Sequence, residues 1–151
     1  MLKRLLKNER GLTLIELLAV IVILGIIAAI AIPAIGGLID NSKKDAHVSN
    51  AQQMINAAKI AVTSDKDLLP PSGQTKQITL ENLENDGYLE TVKDPDKTSN
   101  GYDERGSYVE IENTNNKLSY SVKLVNSERG VQTDSGGPVD EDDLKRSAVR
   151  P

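Results

Sequence analysis

The protein has 151 residues, enough for one ordinary folded domain and too few for a multidomain enzyme. It contains no cysteine, which excludes disulfides, thiolate metal sites and cysteine nucleophiles. The formal net charge is -4 and the aromatic residues are four tyrosines, so neither a basic patch nor a platform of stacked rings is available to bind nucleic acid.

The first eleven residues differ in charge from the rest of the chain. They contain four basic side chains and one acidic side chain, so the remainder has 14 basic and 21 acidic side chains. A basic start before an acidic body is typical of a protein that keeps its N-terminus in the cytoplasm and sends the rest across a membrane. We therefore predict a cytoplasmic N-terminus.

Residues 12–39 form an apolar segment whose only charged residue is Glu16. As a helix, residues 12–32 would measure about 31 Å, close to the roughly 30 Å thickness of the hydrocarbon core of a bilayer. The sequence predicts a single-pass membrane helix. The lipid bilayer is then the first partner of this segment.

An amphipathic helix is predicted after Asp40. Apolar residues recur there at steps of three and four: Val48, Ala51, Ile55, Ala58 and Val62. No proline lies between positions 39 and 63, so this helix is able to continue the membrane helix. Pro70 and Pro71 must end it, because neither donates a backbone hydrogen bond and each restricts the residue before it.

The remaining predicted elements are short. Thr79 can cap a helix over residues 80–86 that Gly87 terminates. Alternating apolar residues predict strands at 107–112 and 117–125 with a turn between them, and a third strand at 130–133. Residues 134–151 have too little apolar content to bury, so we expect a mobile tail.

These elements predict an α+β fold, in which a long N-terminal helix with a membrane half and an amphipathic half packs on a small antiparallel β-sheet. The predicted organisation has four parts: a basic leader (1–11), a membrane helix (12–39), a globular head (40–133) and the tail (134–151).

The leader ends in a specific motif. Residues 10–16 read RGLTLIE and pass directly into the apolar segment. This arrangement resembles the class III signal of type IV prepilins, the family of pilins and pseudopilins. The resemblance implies a pilin-like fold and a structural, non-enzymatic subunit that a prepilin peptidase cleaves after Gly11 and N-methylates on Leu12. A glycine at the cut lets a protease close on extended backbone.

The resemblance also implies partners and a location. The subunit would polymerise with itself, served by an assembly ATPase and a membrane platform protein, and would leave the cell membrane for an extracellular or cell-envelope filament. The chain departs from the family at two places. Leu12 stands where phenylalanine is usual, and the cysteine pair that staples the end of many bacterial pilins is missing.

Glu16 is the candidate assembly residue. A charged side chain inside an apolar membrane helix costs about 2.5 to 3.5 kcal/mol on insertion scales. The resemblance implies that Glu16 pairs with the N-terminal amine of a neighbouring subunit, which after cleavage is the amine of Leu12. The alternative from the residues alone is that Glu16 extends toward the lipid headgroups near the helix start.

Gly25 and Pro33 mark a weak part of the membrane helix. Pro33 has no backbone N–H to donate and glycine is a poor helix former. Filaments of the family lose helicity over the matching segment, which implies the same melting here. A simple kink in a membrane helix is the other interpretation, and both stay open.

An acidic loop provides a candidate calcium site at Asp94, Asp96, Asp103 and Glu104. Major pseudopilins carry calcium in a comparable loop, and carboxylate oxygens suit that ion. The loop lacks the regular ligand spacing of an EF-hand, so ordinary solvated acids are the competing interpretation. His47 has no second histidine and carboxylate at zinc spacing, so we expect it to be solvated on the helix surface.

Two other functions remain open. Residues 29–31 can mimic the cleavage site of an ordinary signal peptide, which would make the chain a secreted or membrane-anchored globular protein. A minor pilin that acts as an adhesin or DNA-uptake factor would need exposed basic or aromatic patches, and the acidic body gives that hypothesis little support. No nucleophile with a partnered base can be assembled, so no enzyme is predicted.

Overall fold

The computed structural model describes the backbone of residues 9–151 and the side chains from Leu12 onward. Most of the predicted leader therefore lies outside the described residues. The chain divides into two compact units, Met1–Asp40 and Asn41–Pro151.

The first long element is helix α1, Glu9–Ser64. It has no break at Gly25 or at Pro33, which lies inside the helix. The predicted long helix is thus confirmed, and its melting in a filament stays a prediction. In the first unit, the large apolar side chains of α1 are between 51% and 72% exposed, so that surface has no cover within the described part of the chain.

The second unit has one apolar core. Its helical wall is the C-terminal part of α1, where Ala51, Met54, Ile55 and Ala58 are fully buried. This is the stripe that the sequence predicts at steps of three and four. The stripe packs into a cluster with the buried side chains of the sheet and with Leu80 and Leu83.

The other wall of the core is an antiparallel sheet. Its six strands are β1 (Thr75–Thr79), β2 (Tyr108–Thr114), β3 (Lys117–Val125), β4 (Gly130–Val131), β5 (Val139–Asp140) and β6 (Val149–Arg150). The order is β1-β2-β3-β4-β6, with β5 paired to β3. Val109 lies opposite Val122 and both are buried, as the alternation of apolar residues predicts. The predicted α+β fold is confirmed.

Helix α2 (Leu80–Asn85) follows β1 directly. The Thr79 side chain accepts a hydrogen bond from the backbone N–H of Asn82 at 3.2 Å, the predicted cap. Gly87 follows with a φ of +77°, a conformation that favours glycine. The β2–β3 turn places Asn115 and Asn116 at positive φ, where asparagine is better tolerated than most residues.

The structure corrects the prediction of a mobile, unpacked tail at residues 134–151. Val139, Ala148 and Val149 are buried, and β5 and β6 pair with β3 and β4. A few apolar residues suffice here because neighbouring strands already form most of the core. The strand β1 was missed for a similar reason, since only Ile78 of its five residues is buried.

Candidate functional site

The N-terminal part of α1 holds the predicted processing and assembly residues. Leu12 and Glu16 are four positions apart in one helix, so they lie on the same face, about one turn from each other. Both side chains are exposed. Among the residues whose side chains the structure describes, Glu16 has no salt-bridge partner.

The apolar surface around Glu16 is long enough for a membrane. By length and composition, α1 contains a segment able to cross a bilayer, and the mean hydropathy of this segment is 3.0. None of the segment is buried in the described protein. A profile of the prokaryotic N-terminal methylation motif matches residues 6–32. This match supports a type IV pilin-like prepilin with a class III signal, as the RGLTLIE motif suggests.

No curated protein and no solved structure matches the chain. The motif covers the start of the chain, and its apolar helix fits membrane anchoring.

His47 lies at the centre of a buried polar network in the head. Its side chain is fully buried, so the prediction of a solvated residue is wrong. The ring Nε2 lies 2.8 Å from Oδ2 of Asp96, and Nδ1 lies 2.7 Å from the hydroxyl of Tyr102. Helical periodicity placed His47 beside the apolar stripe, but the loop that covers it comes from 49 residues further along the chain.

Asp96 is the most heavily paired acid of this network. Arg129 donates to it through Nε at 2.8 Å and through Nη2 at 2.7 Å, a two-point pairing of guanidinium and carboxylate. Lys43 Nζ lies 3.6 Å from Oδ1. The hydrogen bond from Arg129 holds the pKa of Asp96 far below its ordinary value, against the opposing effect of burial, and His47 and Asn126 add to this lowering.

Asp94 organises the loop next to Asp96. Its carboxylate accepts hydrogen bonds from the backbone N–H groups of Asp96 and Thr98, from the Thr98 hydroxyl and from the Asn126 side chain. Burial raises the pKa of Asp94, but these hydrogen bonds outweigh it and leave the pKa below its ordinary value. The loop is therefore held in shape by donors of its own backbone and side chains and by one donor from the β3–β4 connection.

The predicted calcium residues do not form one group. Asp94 and Asp96 lie with His47 in a cluster whose ligand atoms are within 4.8 Å of one another, and neither Asp103 nor Glu104 belongs to it. Asp103 instead accepts from the backbone N–H of Gly106 at 2.9 Å. A Cβ at Gly106 would lie only 2.3 Å from the Asp103 carboxylate, so a side chain there would displace that carboxylate.

The donor set at Asp94 and Asp96 does not fit calcium. Calcium binds six to eight oxygen atoms at about 2.3 to 2.6 Å. Here every carboxylate oxygen of the two acids already accepts a hydrogen bond from an N–H or O–H group. Sequence reasoning missed Arg129, because no local pattern indicates that it pairs with an acid 33 residues earlier.

Proposed function

We propose that this prepilin is a structural subunit of a type IV pilus or pseudopilus. One observation carries the proposal: the methylation motif overlaps the start of a helix whose large apolar side chains, over residues 12–39, are more than half exposed. Such a surface is stable only in lipid or against other apolar helices. The apolar helix of a precursor held in the membrane is surrounded by lipid. After polymerisation, the same helix packs against the helices of other subunits.

Processing would remove the leader and keep the helix. The basic residues before Gly11 hold the cleavage site at the cytoplasmic face, while the acidic head is exported. Prepilin peptidase cuts after Gly11 and methylates the new N-terminus on Leu12. The mature chain then begins inside the apolar helix, one turn before Glu16.

During assembly, Glu16 would set the axial register between neighbouring subunits. When the helix of an added subunit enters the filament, its Leu12 amine pairs with Glu16 of a neighbour, and each buried charge is neutralised by another copy. The assembly ATPase and the membrane platform protein drive this transfer from the bilayer. Melting between Gly25 and Pro33 would let the helices pack as the filament extends.

The N-terminus of the mature protein tests this function. We expect mass spectrometry of chain produced with a prepilin peptidase to show an N-methylated Leu12. A start near Ile32 would instead show cleavage of an ordinary signal peptide and refute the proposal. Gly11→Ala should slow or block leader removal, whereas Gly36→Ala, at a helical glycine with open space around it, should be processed normally.

A further inference from the structure

Ion pairs and hydrogen bonds connect the loop at Asp94–Asp96 to two other segments of the head. We use the name Asp96 cluster for Lys43, His47, Asp94, Asp96, Asn126 and Arg129. Lys43 and His47 lie on α1, whereas Asn126 and Arg129 lie on the β3–β4 connection. The cluster therefore joins three segments that are distant in sequence.

The carboxylate charges of the cluster are balanced without any added ion. The carboxylates of Asp94 and Asp96 supply two negative charges, and the side chains of Arg129 and Lys43 supply two positive charges. Asp96 is only 3% exposed and Arg129 only 16% exposed, so their pairing is largely shielded from solvent. A divalent cation placed here would add charge to a site that has none to neutralise.

We infer that Arg129 is the built-in cation of this loop, occupying the position that a bound divalent metal ion would otherwise take, so that the head folds and stays folded without calcium. Its guanidinium meets both oxygens of Asp96. A metal ion would have to displace this bidentate pair and also the hydrogen bonds from His47 and Asn126.

The backbone holds Arg129 in place for this role. The Oδ1 atom of Asn126 accepts hydrogen bonds from the N–H groups of Glu128 and Arg129 at 2.8 and 2.7 Å, which shapes the turn that carries the arginine. The Nδ2 group of the same asparagine donates to Asp94 and Asp96. One side chain thus orients both the cation and the acids that it meets.

A calcium titration of the full chain in detergent tests the inference directly. All four tyrosines lie in the head, so their near-ultraviolet circular dichroism follows head unfolding without a signal from the membrane helix. We expect the melting temperature to be the same in millimolar calcium as in EDTA. A clear rise with calcium, in a wild-type chain, would overturn the inference.

Variants at Arg129 provide the second test. Arg129→Gln should lower the melting temperature by at least about 5 °C, because it leaves Asp96 buried without its main counter-charge. Arg129→Lys, which keeps the charge, should recover part of that loss. The matched control is Arg105→Gln, which removes an 83% exposed arginine paired with Glu81 and should change the melting temperature little.

The two tests decide the inference together. Equal melting temperatures for Arg129→Gln and Arg105→Gln would show that Arg129 is not required as a cation. If Arg129→Gln fails to fold while Arg129→Lys folds, the requirement for a positive charge is supported. If neither variant folds, the calcium titration of the wild-type chain decides the inference.

Discussion

At the scale of single residues, a continuous chain of hydrogen bonds runs through the network around His47. Asn50 donates to the Tyr102 hydroxyl at 3.1 Å, and that hydroxyl lies 2.7 Å from Nδ1 of His47. On the other side of the ring, Nε2 lies 2.8 Å from Oδ2 of Asp96. Burial raises the pKa of Tyr102, so its hydroxyl keeps its proton.

Removing the Tyr102 hydroxyl should therefore destabilise the head. Tyr102→Phe leaves Nδ1 of His47 buried without its hydrogen-bond partner, and we expect the free energy of unfolding to fall by about 1 to 3 kcal/mol. Urea denaturation measures it. The control is Tyr108→Phe, on a half-buried strand residue, where the change should be smaller. Equal effects would show that the His47 network contributes no special stability.

The ionisation of Asp96 predicts acid sensitivity. Its pKa lies below the ordinary value of 3.8, so its contribution to stability is complete above that pH and is lost as the pH falls toward the folded-state pKa. We expect the free energy of unfolding to decrease as the pH falls below about 4. Asp96→Asn should flatten this pH dependence, and Asp142→Asn, on an exposed acidic turn, should not. An unchanged slope in Asp96→Asn would contradict the prediction.

At the scale of elements, the C-terminal segment fastens itself to α1 and to the sheet. Arg146 pairs with Asp45, and Glu141 accepts from Lys59 at 2.7 Å and from Gln52 at 3.1 Å. These side chains are partly or well exposed, so each pair contributes little. Because the chain has no cysteine to form a disulfide there, burial of apolar side chains must provide most of the stabilisation of the C-terminal segment.

Val149 tests whether the segment is packed. Val149→Ala removes buried methyl groups from β6, and we expect the free energy of unfolding to fall by about 1 to 2 kcal/mol. Ser147→Ala changes an exposed residue two positions earlier and should have almost no effect. Similar values for the two variants in urea denaturation would mean that the segment is mobile after all.

At the scale of the whole molecule, two units with opposite solvent preferences share one chain. Residues 12–39 expose apolar side chains, whereas the head buries its own core and carries the acidic charge. The head can therefore be stable in water while the first unit needs lipid or other helices. This division suits the proposed role of a subunit that is held in a membrane and later built into a filament.

Glu16 tests the filament role at this scale. Glu16→Ala should still insert and be cleaved, but the amine of the neighbouring subunit would be left unpaired in an apolar environment. We expect at least about tenfold less sheared filament, which corresponds to about 1.4 kcal/mol. Leu17→Ala, on the next exposed residue, is the control and should assemble far better. Normal filament yield from Glu16→Ala would refute the pairing role.

The sequence by itself determined the features that depend on local pattern. The apolar run and the stripe from Val48 to Val62 predict α1 because helical periodicity needs only near neighbours. The same holds for the Thr79 cap, for Gly87 and for the alternation in β2 and β3. The RGLTLIE motif is likewise contiguous, and the match over residues 6–32 supports it.

Only the tertiary structure decided the features whose partners are remote. His47 is buried because Asp96 and Tyr102 cover it, and Arg129 neutralises an acid from a different loop. Ile78 and Val149 lie in polar stretches, yet each is buried by strands that other parts of the chain supply. The physical reason is common to all four: burial and ion pairing depend on distance in space, which the local order of residues does not contain.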